Sequence, residues 1–285
     1  MLGKLLKYEW RGLRFPFLIL LIVLASTTLL TCGVILTINP MYDESLAWYS
    51  VMALMLSIFL YYFGIIGCTI GTSLIVVIRF YKTCYTDQGY LTHTLPVTAG
   101  QLLNAKLIAA VAADILMVLS IALSLFLIVQ VGLHHFLSFA PGYTYEEMMR
   151  ELSQEFSYVF GDFEESFGIS FGLFIVYMVV YSVIAMIANI VTIFGCVSLG
   201  QLFTKHRIIG AIIAYFGVQF ILQIAGYFTS LPMYTKMLIT NYDSDLTFFG
   251  LMSPTLNLTL LAVTVLAVAM YFINLHMMTK RLNLE

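Results

Sequence analysis

Six stretches of this sequence are each long enough and apolar enough to cross a lipid bilayer, which takes about 20 residues of helix. They run 15–38, 49–78, 107–133, 169–199, 208–230 and 255–278. No water is available in the hydrocarbon layer to satisfy backbone N–H and C=O groups, so runs of this length cross it as helices. The expected fold class is therefore an all-α integral membrane protein with six transmembrane helices, read as one domain over residues 1–285. Only 10% of residues are charged, against about 25% in soluble domains. The first apolar run is followed at once by Asn39 and Pro40 and has no small-residue cleavage pattern, so it reads as a span and not as a removable leader.

Lys and Arg are retained on the cytoplasmic side of membrane proteins. In a six-span arrangement Lys4, Lys7, Arg11, Arg14, Arg79, Lys82, Lys106, Lys205, Arg207, Lys280 and Arg281 share one side, and only Arg150 and Lys236 fall on the other. That separation places both termini in the cytoplasm, and an odd number of spans would destroy it. The acids Asp43, Glu44, Glu146, Glu147, Glu151, Glu155, Asp162, Glu164, Glu165, Asp243 and Asp245 fall outside. The net charge of −2 gives no basic surface for a nucleic-acid partner. Cys32, Cys68 and Cys196 lie in apolar runs and Cys84 just beyond one, with neither a disulfide framework nor a CxxC metal motif.

Between the spans lie four readable pieces. Residues 1–14, MLGKLLKYEWRGLR, carry Lys4, Lys7, Arg11 and Arg14 at helical spacing, opposite Leu2, Leu6, Trp10 and Leu13. This predicts an amphipathic interfacial helix with its basic residues toward membrane lipid headgroups. Residues 134–168 form an extracellular segment in which Thr144 and Glu147 make a capping-box pattern. Met148, Met149, Leu152, Phe156, Val159 and Phe160 then predict a helix of about four turns resting on the tops of the spans. The neighbouring His134 and His135 have no metal-ligand spacing, so no metal is expected. Residues 231–254 are mixed and could hold a short re-entrant or interfacial helix, with Ser253 and Pro254 reading as N-cap and first position of the sixth span.

Polar residues inside the apolar runs are few. Asp114 is the one acid within a span and should face protein or water. Asn189, Gln219 and Gln223 are candidates for interhelical hydrogen bonds or for substrate contact. Gly67 and Gly71, with Gly64 nearby, suit close helix packing.

The fourth piece is the polar stretch 86–106. Pro96 disfavours helix at Leu95, Thr98 and Gln101 repeat the capping-box pattern, and Ala99 onward runs as a helix into the third span. The result is a short cytoplasmic helix joined rigidly to two spans, with Tyr90, Leu91, His93 and Leu95 offering the aromatic and apolar anchors that an interface uses.

The stretch DQGYLTHTLPVTAGQLLNAKLI resembles the region after the second span of ABC-2 type permeases, the membrane subunits of bacterial ABC transporters. Asp87, Gly89, Leu95, Pro96, Val97 and Thr98 match that family's motif, although no acid follows the glycine and the interval before Leu-Pro is shorter. The resemblance implies that Asp87 to Pro96 is a coupling helix that docks on an ATPase. It further implies a second permease chain, identical or related, a bacterial plasma-membrane location, and export by alternating access. The chain has no GxxxxGK[ST] loop; it is read as a non-enzyme that binds no cofactor, with ATP and Mg expected in the partner ATPase. An intramembrane protease is a poor fit, because EEMMR at Glu146–Arg150 is one residue short of EExxxR and lies outside the spans. A membrane binding or immunity protein with an acidic external face, working without an ATPase, is the alternative, and it leaves the coupling segment unexplained.

Overall fold

The computed structural model describes residues 2–38, 44–86, 88–89, 96–139, 144–203, 205–239 and 247–280. Among them the chain is all helix, with seven helices: α1 (Leu2–Thr37), α2 (Glu44–Tyr85), α3 (Ala99–Leu137), α4 (Tyr145–Phe167), α5 (Phe171–Gly200), α6 (Arg207–Ile239) and α7 (Phe248–Lys280). All except α4 are long and apolar enough to cross a membrane, so the architecture is that of a multi-span membrane protein. At 1.5 Å per residue the 42 residues of α2 extend about 60 Å, roughly twice the hydrocarbon thickness. Much of α2 therefore lies beyond any bilayer core.

The chain forms two compact units, Met1–Arg79 with Ile108–Leu152, and Phe80–Leu107 with Ser153–Glu285. Both boundaries between α2 or α3 and the other unit fall inside a helix. In the first unit α1 lies on α2. Thr31 Oγ1 donates to the Ser57 carbonyl at 3.3 Å and Cys68 Sγ to the Leu20 carbonyl at 3.4 Å. Close approach comes from Gly71 and Gly64: a Cβ there would stand 2.9 Å from Leu20 and 3.0 Å from Thr27, while one at Gly67 would meet nothing. The packing pair is thus spaced by seven residues, two helical turns, and not by the four of Gly67 and Gly71. Tyr61 and Ser124 join α2 to α3 through a hydroxyl–hydroxyl hydrogen bond of 2.6 Å.

In the second unit α5, α6 and α7 pack on one another, most extensively α5 with α7. Ala188, Val191 and Ala267 form one buried contact and Cys196, Val218 and Met270 another. Gly195 lets α7 approach, since a Cβ there would come within 2.8 Å of Met270 Cβ.

Four expectations are corrected. The segment 1–14 is not a separate interfacial helix: α1 runs unbroken from Leu2 through Pro16 to Thr37. No Ser, Thr, Asp or Asn occurs before Ser26 to cap a new helix start, so one continuous helix loses only the bond that Pro16 cannot make. Lys4, Lys7, Arg11 and Arg14 remain exposed along it, with Trp10 half-buried. Second, α4 has 23 residues, well beyond four turns. Its apolar stripe continues through Phe163 and Phe167, and it stops at Gly168, whose φ of 74° is the left-handed conformation of a helix C-cap. Third, α4 rests on the spans with part of its apolar face and not with the whole of it: Phe163 and Phe167 pack on Phe174 of α5, while Phe156 and Val159 stay exposed. Fourth, the sixth span does not start at Ser253 and Pro254. Helix α7 begins at Phe248, with Leu251 N–H donating to the Thr247 carbonyl and Pro254 inside it. Phe248 packs on Phe167 and Phe249 on Tyr177, with ring centroids 4.9 and 5.3 Å apart, and this aromatic packing holds the extra turns.

Candidate functional site

The two helical ends that flank the polar segment are the best-tied part of the second unit. On the α2 side, Phe80 is buried and stacks on Phe194 of α5, with ring centroids 4.0 Å apart and planes 7° from parallel. One turn on, Tyr85 and Ser198 share a hydrogen bond of 2.7 Å, and Ser198 Oγ donates to Asn274 Oδ1 of α7 at 2.8 Å. The other neighbour of Ser198 Oγ, the Phe194 carbonyl at 3.1 Å, is also an acceptor. The single serine proton goes to one of these, so the tyrosine hydroxyl is the donor in the first link. A directed chain Tyr85–Ser198–Asn274 thus crosses three helices, and both Ser198 and Asn274 are almost completely buried.

On the α3 side, Thr98 begins the helix as its spacing requires: Gln101 N–H donates to Thr98 Oγ1 at 3.3 Å and Leu102 N–H to the Thr98 carbonyl at 3.1 Å. Leu102, Leu103 and Ala105 are buried, while Tyr271 of α7 reaches Asn104 Oδ1 at 2.9 Å. The two flanks are also tied to each other. Lys106, only 4% exposed, donates to Thr83 Oγ1. A buried ammonium is tolerated only when its protons are bonded, so the pairing fixes the spacing at which the polar segment leaves and re-enters.

Of the residues read as the coupling helix, Gly89 is buried with its N–H on the Thr86 carbonyl at 2.6 Å, and Pro96 is exposed. Asp87, Tyr90, Leu91, His93 and Leu95 lie outside the described residues. Asp114 is half-buried on α3 in the first unit; in the second, Gln219 is half-buried and Asn189 and Gln223 are exposed. The interhelical bonds expected of these amides are made by other residues, with Thr229 bonded to Thr259 at 3.0 Å and Tyr177 to Asn257 at 2.9 Å.

Sequence reasoning missed a second cluster, in the first unit. Glu9, 5% exposed, accepts from Arg79 Nε at 2.9 Å; Arg79 Nη2 also donates to the Tyr8 carbonyl at 3.2 Å. The guanidinium fills the notch left by Gly12, where a Cβ would fall 1.6 Å from Nη1. The available signal was a lone acid in the basic run KYEWRGLR.

At the start of α4 the carboxylate arm of the capping box forms. Thr144 N–H and Oγ1 both donate to Glu147 Oε2, the first at 2.9 Å. These bonds favour the ionised form and hold the Glu147 carboxyl below its ordinary value of 4.5. His135 Nε2 lies 2.7 Å from the Ile38 carbonyl, and among the described residues no group of three His, Cys, Asp or Glu could hold a metal. No protein-family model matches the chain, and no curated protein or solved structure is detectably similar to it.

Proposed function

We propose that this chain is the permease subunit of an ATP-driven exporter of the ABC-2 type. Six spans have both ends in the cytoplasm, the segment Asp87–Pro96 is gripped by a separate ATPase, and a second permease chain completes the path. The observation that carries this reading is the double anchoring of that segment's flanks. A loop that merely connects two spans needs no buried hydrogen-bond chain at its foot. Here Phe80 and Tyr85 on one side, and Asn104 on the other, tie it into the α5 and α7 packing, and Lys106 ties the two sides to each other through Thr83.

Force on the segment then reaches α5 through Phe194 and Ser198 and α7 through Asn274, beyond the two helices that the segment joins. ATP and Mg act in the partner, and this chain converts the partner's closure into movement of its helices between inward and outward exposure.

Purification of the full chain co-expressed with the products of its neighbouring genes tests the reading. Tyr90→Glu and Leu95→Asp are expected to abolish co-elution, and Ser198→Ala to preserve it. If both charged variants co-elute as wild type while deletion of residues 2–14 abolishes binding, the docking assignment fails. If no ATPase binds the wild-type chain, the acidic, unburied face of α4 favours the membrane binding or immunity protein instead.

A further inference from the structure

Helix α4 carries Met149, Leu152, Phe156, Val159 and Phe163 at alternating spacings of three and four, one continuous stripe on a helix. Glu146, Glu147, Glu151, Asp162, Glu164 and Glu165 fall on the remaining circumference. The stripe divides into two parts. At its C-terminal end Phe163 and Phe167 pack on Phe174 at 5.3 and 5.8 Å. Further back it is uncovered, with Phe156 exposed by 52% and Val159 by 53%.

Two features say what covers it. The first is tethering. Only Gly168, Ile169 and Ser170 separate α4 from the membrane-spanning α5, and three residues reach about 10 Å at most. Phe160 already stacks on Phe171, the first residue of α5, at 4.6 Å, and the outward surface of α5 is open and apolar from Leu173 and Val176 onward. The exposed part of the stripe therefore continues an apolar surface that a bilayer must cover. The second is charge. Glu155 flanks the stripe on one side and Glu146 and Glu164 on the other, so pairing with a second copy would set acid against acid, a repulsion that lipid does not impose.

We infer that α4 is an interfacial helix, with Met149, Phe156, Val159 and Phe160 seated at the headgroup–acyl boundary of the bilayer and its acids turned to water. Aromatic residues favour that depth. With no cation on the helix except Arg150, the attraction is apolar, so it is insensitive to salt and weaker on anionic lipid.

The test uses the full chain in phosphatidylcholine vesicles containing brominated acyl chains. Bimane is attached to a cysteine placed at Phe156 or Val159 on the stripe, or at Gln154 or Ser157 off it, with the unsubstituted chain as the blank. Val159→Trp repeats the measurement without a label. The expected result is brominated-lipid quenching at 156 and 159 roughly threefold stronger than at 154 and 157, unchanged by added salt. Quenching of 156 and 159 by aqueous iodide as strong as that of 154 and 157 overturns the inference in favour of water or a soluble partner. Protection of 156 and 159 from both quenchers overturns it in favour of a second copy.

Discussion

In the first unit the polar contacts between helices are of two kinds: Thr31 to Ser57, Cys68 to Leu20 and Arg79 to Tyr8 run from a side chain to a backbone carbonyl, while Tyr61 to Ser124 and Arg79 to Glu9 are separate side-chain pairs. In the second they run from side chain to side chain: Tyr85 to Ser198, Ser198 to Asn274, Tyr271 to Asn104, Thr229 to Thr259. A carbonyl accepts from whatever donor arrives, so contacts of the first kind set distance. A chain of side chains requires particular partners in one register, and removing one member leaves its neighbours unpaired. The first unit is joined by carbonyl contacts and isolated side-chain pairs, whereas the second is cross-referenced around the foot of the polar segment. That difference suits a unit that receives force and passes it on without slipping.

The comparison breaks most readily at the ion pair. Glu9→Leu leaves the Arg79 guanidinium, only one-fifth exposed in the intact pair, without its main counter-charge, and breaking a buried pair costs about 3 kcal/mol. Denaturant titration of the purified chain should show that loss. Glu9→Leu combined with Arg79→Met should recover most of it, because no buried charge then remains. An unchanged transition in the single variant would mean that the pair is solvated and the first unit is held otherwise.

Ser198→Ala is expected to have a smaller effect, about 1–2 kcal/mol, from leaving the Tyr85 hydroxyl and the Asn274 amide short of a partner. The sharper expectation concerns coupling: cross-strain between Tyr85 and Asn274 measured by a double-mutant cycle of Tyr85→Phe and Asn274→Leu should be non-additive in the wild-type background and additive in Ser198→Ala. Additivity in both would reduce the chain to independent contacts.

The smallest effect belongs to α4. Glu147 is held below 4.5 in the folded chain by its bonds from Thr144, so its stabilisation of the helix start is fully present above that value. It is lost as pH falls through the lowered folded value. Amide exchange over Tyr145–Met148 should therefore accelerate at low pH relative to the chemical rate, and Glu147→Gln should remove that pH dependence. The same exchange at Ala99–Leu102, capped by Thr98 without a carboxylate, should show no such change.

The spans were legible because the helical period and the 20-residue requirement act over long windows, where single residues do not matter. Ends were less so. Pro254 suggested a helix start, but it lies inside a helix, as Pro16 does, since a proline costs one backbone bond and local packing can offset it. Phe248 and Phe249 do this for α7. Helix starts at Thr144 and Thr98 were read correctly, each with one arm of its capping box formed, because cap chemistry is local. The residues that tie the site carry no mark in one dimension: Ser198 and Asn274 are polar groups in apolar runs, no more suggestive than Asn189 or Gln223, and Tyr85 is one of three tyrosines between Tyr81 and Tyr90. What distinguishes them is which helices meet, and that lies in the pairing of α2, α5 and α7.

The central claim is that an ATPase grips residues 87–95. The direct measurement is cross-linking in native membranes from a cysteine placed at Leu91, with a second placed at Lys4 for comparison. The account expects the Leu91 position to cross-link to the ATPase in a nucleotide-dependent manner and Lys4 to do so weakly or not at all. Efficient cross-linking from Lys4 with none from Leu91 would contradict it.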